Sequence, residues 1–405
     1  MNSSANRAVV VGAGPVGLML TLGLASHGIP VTLLEQEPAL TRDLRAGSYH
    51  PPTLEMMEPY GITAKMLEQG IKVHDWQIRD RYNPDWVANF DLRLLSDLTP
   101  YTFRLHLQQH ELTPIIRDLV LAQPLAEIVF GAKFVTMTQD AGAVHVTYEQ
   151  QGETKTMDAA WLLGADGARS NVRKAAEIPF EGYTWPERFF VISTTHDFSN
   201  DGFAMNAYIA DPDEWATLFK MPGGPDGTGY WRVVFPVDNE TPEAVFQQPA
   251  SMEARLQSFV PNAEPYQILY SSFYRVHQRV AETFRKGRVL LAGDAAHLNN
   301  PLGAMGLNSG IHDASNLIGK LVAVWRGEAN ENLLDVYSRQ RRTATNEFVQ
   351  EQSVRNKRML EERDPEMRRK HFEELVHTAN TPELARRYLI NSAMIPGVRR
   401  AAEVA

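Results

Sequence analysis

The sequence predicts an α/β fold that combines a Rossmann-like dinucleotide-binding domain, an inserted antiparallel-sheet domain and a C-terminal helical tail. Three observations lead to this prediction. Residues 8–35 follow the pattern strand, glycine turn, helix, strand, as in a βαβ unit. Residues 178–274 contain short alternating segments separated by Gly, Pro, Asp and Asn, which is typical of antiparallel strands. Residues 333–376 are charged and helical in pattern, with Pro365 expected to interrupt them.

The composition is that of an ordinary globular protein. The chain has 405 residues, of which 43% are hydrophobic and 22% charged, so it can form two domains with a large core. A net charge of −9 argues against a nucleic-acid partner or an anionic membrane surface, because both require clustered Lys and Arg. The chain has no cysteine, which excludes disulfides, cysteine nucleophiles and iron–sulfur clusters. Oxidation chemistry would therefore need a bound cofactor.

Targeting and metal signals are missing from the sequence. The short polar segment Met1–Arg7 leads into an apolar stretch that glycines break, so it does not read as a signal peptide. No uncharged run reaches the length of a membrane span. There is no His-Glu-x-x-His pattern, and we expect no metal site. A cytoplasmic location is the resulting expectation.

The first glycine motif, Gly12-Ala-Gly14-Pro15-Val16-Gly17, follows a buried strand and opens a helix. In a dinucleotide fingerprint the first glycine permits a tight turn, the second lets the backbone approach a pyrophosphate, and the third lets the helix pack closely. The helix N-terminus then supplies amide donors for phosphate. Glu35 ends the second strand, where an acid binds ribose hydroxyls and repels a 2′-phosphate, so FAD or NAD is favoured over NADP. The alternative is a tight turn without a ligand.

Two later motifs complete the pattern. They are Gly164-Ala-Asp166-Gly167 in the middle of the chain and Gly293-Asp294-Ala-Ala-His297 in its last third, the latter followed by Pro301-Leu-Gly-Ala-Met-Gly306-Leu307-Asn308. In this order and spacing, the three motifs resemble those of the single-component FAD-dependent aromatic hydroxylases of the p-hydroxybenzoate hydroxylase type. The resemblance covers about residues 7–345. It assigns the antiparallel domain to the substrate.

The resemblance also implies cofactor-binding positions. Asp294 would bind a ribityl hydroxyl, and amides of the helix that begins near Gly306 would meet the flavin pyrimidine through Leu307 and Asn308. Many relatives have Gly where this chain has Ala304. The remaining positions that the resemblance assigns to the cofactor are Arg45, Gln109, Val135 and Asp166. Asp166 could instead cap a turn.

The substrate positions rest on a thinner resemblance. Tyr208 falls where a tyrosine contacts the phenol oxygen, and it could relay the substrate proton as the catalytic residue. Arg232 and Lys220 fall at pocket-lining positions, where a cation would suit a carboxylate or nitro group. Pro301, and also His50, could border the flavin ring. The alternative is that Tyr208 and Arg232 are ordinary sheet residues.

The family resemblance implies a monooxygenase reaction. NADH or NADPH reduces FAD, dioxygen forms a flavin C4a-hydroperoxide, and the distal oxygen is transferred to an electron-rich aromatic ring. Only one complete fingerprint is present, and the Gly-rich run 223–229 reads as a hairpin loop, so the nicotinamide cofactor would bind without its own Rossmann domain. The alternatives are a halogenase or reductase of related fold, and a flavoprotein that binds FAD and an aromatic ligand without turnover.

The predicted organisation has four parts. Residues 1–177 and 276–345 form the FAD-binding domain, residues 178–275 form the mainly antiparallel substrate domain, and residues 346–405 form C-terminal helices. We expect the charged tail either to pack on the FAD-binding domain or to contribute to a subunit contact, as in a homodimer.

Overall fold

The computed structural model describes residues 6–42, 46–224 and 227–405. Its strands, in chain order, are β1 (Ala8–Val11), β2 (Val31–Glu35), β3 (Ser48–Tyr49), β4 (Ile71–Val73), β5 (Asp75–Asp80), β6 (Val87–Asp91), β7 (Arg104–His106), β8 (Ala126–Phe130), β9 (Ala132–Gln139), β10 (Val144–Gln150), β11 (Glu153–Ala159), β12 (Trp161–Gly164), β13 (Phe180–Thr194), β14 (Asn206–Ala210), β15 (Ala216–Met221), β16 (Tyr230–Val237), β17 (Ile268–Ala281), β18 (Arg285–Lys286), β19 (Val289–Leu291) and β20 (His297–Leu298).

The helices are listed in the same order. They are α1 (Pro15–Ser26), α2 (Pro51–Met57), α3 (Ile62–Gln69), α4 (Gln109–Leu121), α5 (Asn171–Ala175), α6 (Glu243–Phe246), α7 (Pro249–Phe259), α8 (Met305–Trp325), α9 (Leu333–Ala344), α10 (Glu351–Leu360), α11 (Pro365–Asn380), α12 (Pro382–Ser392) and α13 (Ile395–Glu403). A π-helical stretch, Thr345–Gln350, joins α9 to α10.

A six-stranded sheet with the order β18-β19-β12-β1-β2-β8 forms the dinucleotide-binding part of the fold. Strand β1 lies between β12 and β2 and is parallel to both, with Ala8 opposite Trp161 on one side and Val31 on the other. All four residues of β1 are buried, as expected for a strand covered on both faces. The predicted parallel sheet is confirmed, and β12 returns to it as expected.

An eight-stranded sheet with the order β20-β17-β13-β16-β15-β14-β5-β6 forms the second layer. The strands within residues 178–275 pair antiparallel, as predicted. Strands β5 and β6 join them from much earlier in the chain, and β5 pairs parallel to β14. Sequence patterns did not reveal this addition, because pairing between residues 77 and 207 leaves no local signal. The domain boundaries given above stay a prediction.

The eight-stranded sheet is tied to the rest of the fold at two places. At one end, β20 pairs with β17 and begins at the last residue of the Gly293 motif. In the middle of the sheet, the small sheet β3-β7-β4 lies beside β15, since His106 of β7 donates from Nδ1 to the carbonyl oxygen of Lys220 at 2.8 Å. The sheet therefore faces the motifs that the sequence assigns to the cofactor.

The C-terminal helices cover the eight-stranded sheet as well as the dinucleotide-binding part. Helix α11 packs on β6 and α13 packs on α9. Arg368 of α11 forms an ion pair with the buried Asp80 at the end of β5. Pro365 begins α11 after a break at residues 361–364, so the predicted interruption is present. In the described part of the chain, no helix has both the length and the apolar character needed to cross a bilayer.

A fully buried ionic network holds the Gly293 motif against helix α8. Asp313 accepts hydrogen bonds from the Gly293 amide at 2.9 Å, from His297 Nε2 at 2.8 Å and from Arg341 Nε at 2.6 Å. Burial by itself raises the pKa of Asp313, but the charges and hydrogen bonds of His297 and Arg341 outweigh it and lower the pKa overall. Removing the carboxylate would leave the Arg341 charge buried without a partner.

We therefore expect Asp313→Ala to lower the free energy of unfolding by about 3–5 kcal/mol, the usual cost of breaking one side of a buried ion pair. Urea unfolding followed by circular dichroism measures this change. The pKa of Asp313 is lower in the folded state than in the unfolded chain. Its contribution to the free energy of unfolding is therefore fully present at pH values above the ordinary carboxylate pKa, and it is lost as the pH falls through the folded-state pKa.

The matched control is Glu373→Ala, which removes a half-exposed carboxylate that pairs with Arg369 at 2.8 Å. We expect a change of no more than about 0.5 kcal/mol there, because solvent screens exposed pairs. Equal effects of the two substitutions would show that the Asp313 network contributes no more than a surface pair.

Candidate cofactor and substrate site

The first and second motifs approach each other more closely than side chains would permit. Gly12 has a φ of 102°, and a Cβ on it would lie 2.5 Å from the carbonyl oxygen of Ala165. A Cβ on Gly17 would lie 1.9 Å from the carbonyl oxygen of Gly12. Both glycines are therefore required by the turn itself. They would be needed whether or not a ligand binds.

Gly14 differs from these two glycines. Its backbone is extended, with φ −70° and ψ 176°, and a Cβ on it would meet nothing within 4 Å. Neither strain nor packing calls for glycine at this position, and the residue lines an open cavity at the N-terminus of α1. A glycine there allows a pyrophosphate to approach the backbone closely. Gly14 therefore favours nucleotide binding over a tight turn that holds no ligand.

The third motif reaches the first through Val16. A Cβ on Gly293 would lie 2.9 Å from Val16 Cγ2, and a Cβ on Gly310 of α8 would lie 2.7 Å from the same atom. The β1–α1 turn, the Gly293 turn and helix α8 thus meet around one side chain. Residues that are nearly 300 positions apart form one wall.

Glu35 lies at the end of β2, and two backbone amides hold its carboxylate in a fixed orientation. It accepts the Ala13 amide at 2.6 Å and the Glu37 amide at 2.9 Å, one on each oxygen. Each carboxylate oxygen has a further lone pair, so two ribose hydroxyls could still donate to it. Glu35 lines the same cavity as Gly14.

Asp166 serves a capping role in the described structure. Its carboxylate accepts the Ser170 hydroxyl at 2.5 Å and the amides of Asn171 and Val172 at 2.7 and 3.1 Å, at the start of α5. Burial raises the pKa of Asp166, and these hydrogen bonds oppose the rise. The residue also lines the cavity, so its predicted cofactor role stays a prediction beside the capping role.

Arg173 joins the second motif to the third. It donates to the carbonyl oxygens of Ala295 at 2.8 Å and Ala168 at 3.0 Å, and it lies 3.8 Å above the Phe180 ring. Its contacts make it a brace between the two cofactor segments.

The N-terminus of α8 faces the cavity. Ala304 has φ 56° and ψ 38°, a left-handed conformation that favours glycine and costs an alanine about 1–2 kcal/mol. Gly306 and Leu307 line the cavity within the first helical turn, where amides have no intrahelical acceptor. Asn308 is fully buried and donates to the carbonyl oxygens of Ser48 and Ala304, so its side chain is a clamp between β3 and α8.

One continuous cavity of about 800 Å³ connects these groups to the eight-stranded sheet. Its cofactor end includes Gly12, Gly14, Pro15, Val16, Gln109 and Asp294. Its sheet end has mainly apolar walls, formed by Phe189, Phe219, Met221, Val234 and Tyr274 together with the cation Arg232, and Arg275 of β17 also lines the cavity. Pro301 and Leu302 line the same cavity. The antiparallel sheet thus faces the cofactor motifs, as predicted from the sequence.

The substrate positions predicted from the sequence divide into two groups. Arg232 and Pro301 line the cavity. Tyr208 lies on the adjacent strand β14, directly opposite the cavity-lining Thr217, with its ring centroid 6.2 Å from that of Phe219. Lys220 does not line the cavity. Side chains alternate along β15, so Lys220 points away from the face of Phe219 and Met221 and pairs with Asp197 at 2.9 Å.

Two further predictions concern residues outside the cavity wall, and a third cannot be placed. Gly17 packs inside the turn rather than lining the cavity. Val135 has a side chain that is 42% exposed, and its neighbour Phe134 lines the cavity instead. Arg45 lies outside the described residues.

Sequence reasoning missed several groups near the sheet end. Trp76, Arg104, His106 and Asn206 are all buried close to Tyr208 and Phe219. The signal available for them was weak, because they come from β5, β7 and β14, which pair only through the tertiary fold. A buried Arg in the short apolar run Phe103–Leu107 is the single feature that could have drawn attention.

Comparison with known proteins gives concordant results. The FAD binding domain family matches residues 6–352. The chain is 36% identical over 361 residues to the para-nitrophenol 4-monooxygenase of Pseudomonas sp. (strain WBC-3), covering 89% of this chain and 88% of that protein. It is 31% identical over 364 residues to the 6-hydroxy-3-succinoylpyridine 3-monooxygenase HspB of Pseudomonas putida, covering 90% and 91%.

The fold is likewise similar to a solved structure. The crystal structure of p-nitrophenol 4-monooxygenase PnpA from Pseudomonas putida DLL-E4 superposes with a TM-score of 0.90 at 31% identity, covering 97% of this chain and 98% of that one. The family match and these relatives agree with the cavity and its three converging motifs. The chain belongs to the FAD binding domain family, and within it to the FAD-dependent aromatic monooxygenases, which use NAD(P)H and dioxygen.

Proposed function

We propose that the substrate is a small phenol of the p-nitrophenol type, bound between the eight-stranded sheet and the N-terminus of α8. The single continuous cavity carries this proposal. One end has the glycines and Glu35 that suit a dinucleotide, and the other end has an apolar wall with Arg232. The two relatives named for p-nitrophenol, at 36% and 31% identity, support the same substrate class.

The cavity volume limits the substrate. Ligand pockets commonly span about 300–1,000 Å³. A cavity of about 800 Å³ that also takes the flavin end of FAD leaves room for one aromatic ring rather than a fused polycycle. The aromatic and aliphatic side chains of Phe189, Phe219 and Val234 suit the faces of such a ring.

FAD, when bound, supplies the redox chemistry: it takes a hydride from NAD(P)H and activates dioxygen. The chain's residues bind the cofactor, orient the substrate and shield the reacting atoms from water. Gly14 and the α1 N-terminus fit the pyrophosphate, Glu35 fits the ribose, and Asp294 fits the ribityl chain. The free amides at Gly306 and Leu307 fit the flavin carbonyl edge and stabilise negative charge there. The apolar sheet wall excludes water from the reacting atoms.

The sheet supplies the groups that would act on the substrate. Arg232 fits a nitro or carboxylate oxygen at the para position, because its guanidinium can donate two parallel hydrogen bonds. The Tyr208 hydroxyl is buried, and it has no hydrogen-bond partner in residues 6–42, 46–224 and 227–405. We assign to it the contact with the phenol oxygen and the relay of the phenol proton. A phenolate ring is more electron-rich than a phenol and reacts faster with an electrophilic oxygen.

We further propose a cytoplasmic enzyme that forms homodimers. Tyr82 is 71% exposed and its amide donates to Asp80, and Met367, which is 44% exposed, precedes Arg368, which also donates to Asp80. Exposed apolar groups of this kind fit a subunit contact. Light scattering of the FAD-loaded protein tests the proposal, and a monomer at micromolar concentration would contradict it.

The proposed function is tested with FAD-loaded protein, NADH or NADPH, and a panel of phenols, with peroxide followed in parallel. We expect p-nitrophenol to accelerate nicotinamide oxidation while peroxide stays low and a hydroxylated product accumulates. 4-Nitroanisole, which lacks the hydroxyl, is the matched control and should leave the basal rate unchanged. Product that requires chloride would favour a halogenase. Oxidation that no phenol stimulates, or that yields only peroxide, would overturn the proposal.

We expect Asp294→Ala to weaken FAD binding about tenfold or more, because one hydrogen bond to a carboxylate is worth about 1.5–3 kcal/mol. The flavin-to-protein absorbance ratio after gel filtration measures the loss. Asp118→Ala is the control, since Asp118 is exposed and pairs with its neighbour Arg117. Full flavin content in the Asp294 variant would move the ribityl contact to another residue.

We expect Tyr208→Phe to slow hydroxylation by about 10²-fold or more, the scale of general acid–base assistance, while FAD content stays unchanged. Reducing equivalents should then appear as peroxide. Tyr183→Phe is the control, because Tyr183 is 46% exposed on β13. Unchanged coupling of nicotinamide oxidation to product in the Tyr208 variant would place the proton relay elsewhere.

A further inference from the structure

A cluster of buried polar side chains lies behind the sheet-end wall of the cavity. Its members are Trp76, Arg104, His106, Asn206 and Tyr208, each no more than 5% exposed. In the described residues, no hydrogen-bond partner is present for Trp76 Nε1, Arg104 Nε and Nη1, His106 Nε2, either amide atom of Asn206, or the Tyr208 hydroxyl. Buried polar atoms are nearly always paired, so such a concentration of unpaired ones points to a ligand.

Arg104 is the strongest member of the cluster. It is 2% exposed, and within the described ranges its Nε and Nη1 atoms are buried without a hydrogen-bond partner. Its guanidinium lies 4.7 Å above the Trp76 ring, which compensates part of the charge. A buried cation without a counter-ion costs several kcal/mol, and a bound anion would offset that cost. The cluster also offers more donors than acceptors, as an anionic oxygen requires.

The groups around Arg104 leave the local charge positive. Burial lowers the pKa of His106 to about 4, assisted by Arg104 and opposed by the hydrogen bond to the Lys220 carbonyl. Burial and the Arg104 charge hold the pKa of His50 well below its usual range. Burial raises the pKa of Tyr388 to about 12, and the positive charges of Arg355 and Arg104 oppose this rise. These groups are neutral at pH 7, and Arg104 and Arg355 supply the charge.

The cluster is one side chain away from the cavity. Phe219 lines the cavity, and its ring centroid lies 5.9 Å from that of His106 and 6.2 Å from that of Tyr208. Leu302 also lines the cavity and packs in the same apolar cluster as Trp76 and Tyr208. Rotation of Phe219 would open the cavity toward His106 and Tyr208. Arg104 belongs to the same cluster through Trp76, whose ring lies 5.7 Å from that of Tyr208. The hydroxyl that the substrate class carries is the matching group.

We propose that Arg104 binds the oxygen of the substrate as a phenolate and so helps to determine that the enzyme accepts ionisable phenols. This inference rests on the proposed function. The proton leaves by way of the Tyr208 hydroxyl, as proposed above, and the negative charge remains on the oxygen beside Arg104. A neighbouring cation lowers the pKa of a bound phenol, which increases the electron density of the ring at neutral pH.

The test uses oxidised, FAD-loaded protein without NAD(P)H, so that binding is measured apart from turnover. 4-Nitrophenol is titrated at a pH below its own pKa, where the free ligand is mainly the neutral phenol and the phenolate has a distinct absorption band. We expect the wild-type protein to bind it as the phenolate. Arg104→Met should abolish the phenolate band and raise Kd by about tenfold or more, as for loss of a charge-assisted hydrogen bond.

The matched control is Arg79→Met. Arg79 also lies over an aromatic ring, 4.4 Å from the Phe203 centroid, but it points away from the Trp76 face of strand β5. We expect no change in 4-nitrophenol binding there. 4-Nitroanisole, which cannot ionise, should bind the wild type and the Arg104 variant with Kd values within about twofold of each other. Arg104→Lys keeps the charge and should retain part of the phenolate band.

Several outcomes would overturn the inference. They are a phenolate band that persists in Arg104→Met, wild-type binding as the neutral phenol, or equal weakening for 4-nitroanisole, which would indicate a merely structural effect. If Arg104→Met does not bind FAD, the inference is still tested by the phenolate band of the wild-type protein and by the part of that band that the Arg104→Lys variant retains. If 4-nitrophenol binds as the neutral phenol and is still turned over, the role of Arg104 is rejected but the proposed function is not. Phenolate binding through Arg104 without any hydroxylated product would reject the proposed function alone.

Discussion

The close approach of three backbone segments around Gly12 and Val16 is the constraint on which the rest of the site depends. The β1–α1 turn touches the Ala165 segment where Gly12 has no side chain, and Val16 fills the space that Gly293 and Gly310 leave open. A Cβ at Gly12, Gly293 or Gly310 would lie only 2.5, 2.9 or 2.7 Å from a neighbouring atom, so the segments would have to move apart. The cofactor end of the cavity exists because those positions are glycine.

Electrostatic interactions then hold this packing in place. Asp313 binds the Gly293 amide, His297 and Arg341, while Arg173 joins the Ala168 and Ala295 carbonyls. Both groups are buried, so their hydrogen bonds act in a low-dielectric interior where solvent does not compete. Rigid support of this kind keeps the α8 N-terminus facing the cavity, where the charge stabilisation that we propose needs fixed dipoles.

The substrate end of the cavity is built from a β-sheet face rather than from glycine turns. Its walls are formed by alternate residues of β15 and β16 with Phe189 and Tyr274, so one face of a single sheet presents the apolar surface and the Arg232 cation to which we assign the substrate ring. Behind that face, β5, β7 and β14 bring buried polar groups together without pairing them. The enzyme thus has a preformed cofactor wall and, behind the substrate wall, buried polar atoms of Trp76, Arg104 and Asn206 that have no hydrogen-bond partner in the described residues.

The sequence by itself determined the fold class, the parallel and antiparallel sheets and the cofactor motifs, because glycine spacing and period-two patterns are local properties. It also assigned Arg232 and Pro301, which line the cavity, and Lys220, which strand alternation turns to the opposite face, and the substrate roles of all three stay predictions. Only the tertiary structure decided that β5 and β6 extend the sheet of residues 178–275 and that Arg104 and Tyr208 both lie against Trp76. Those pairings join residues more than 100 positions apart, and their stability comes from long-range packing that no local pattern records.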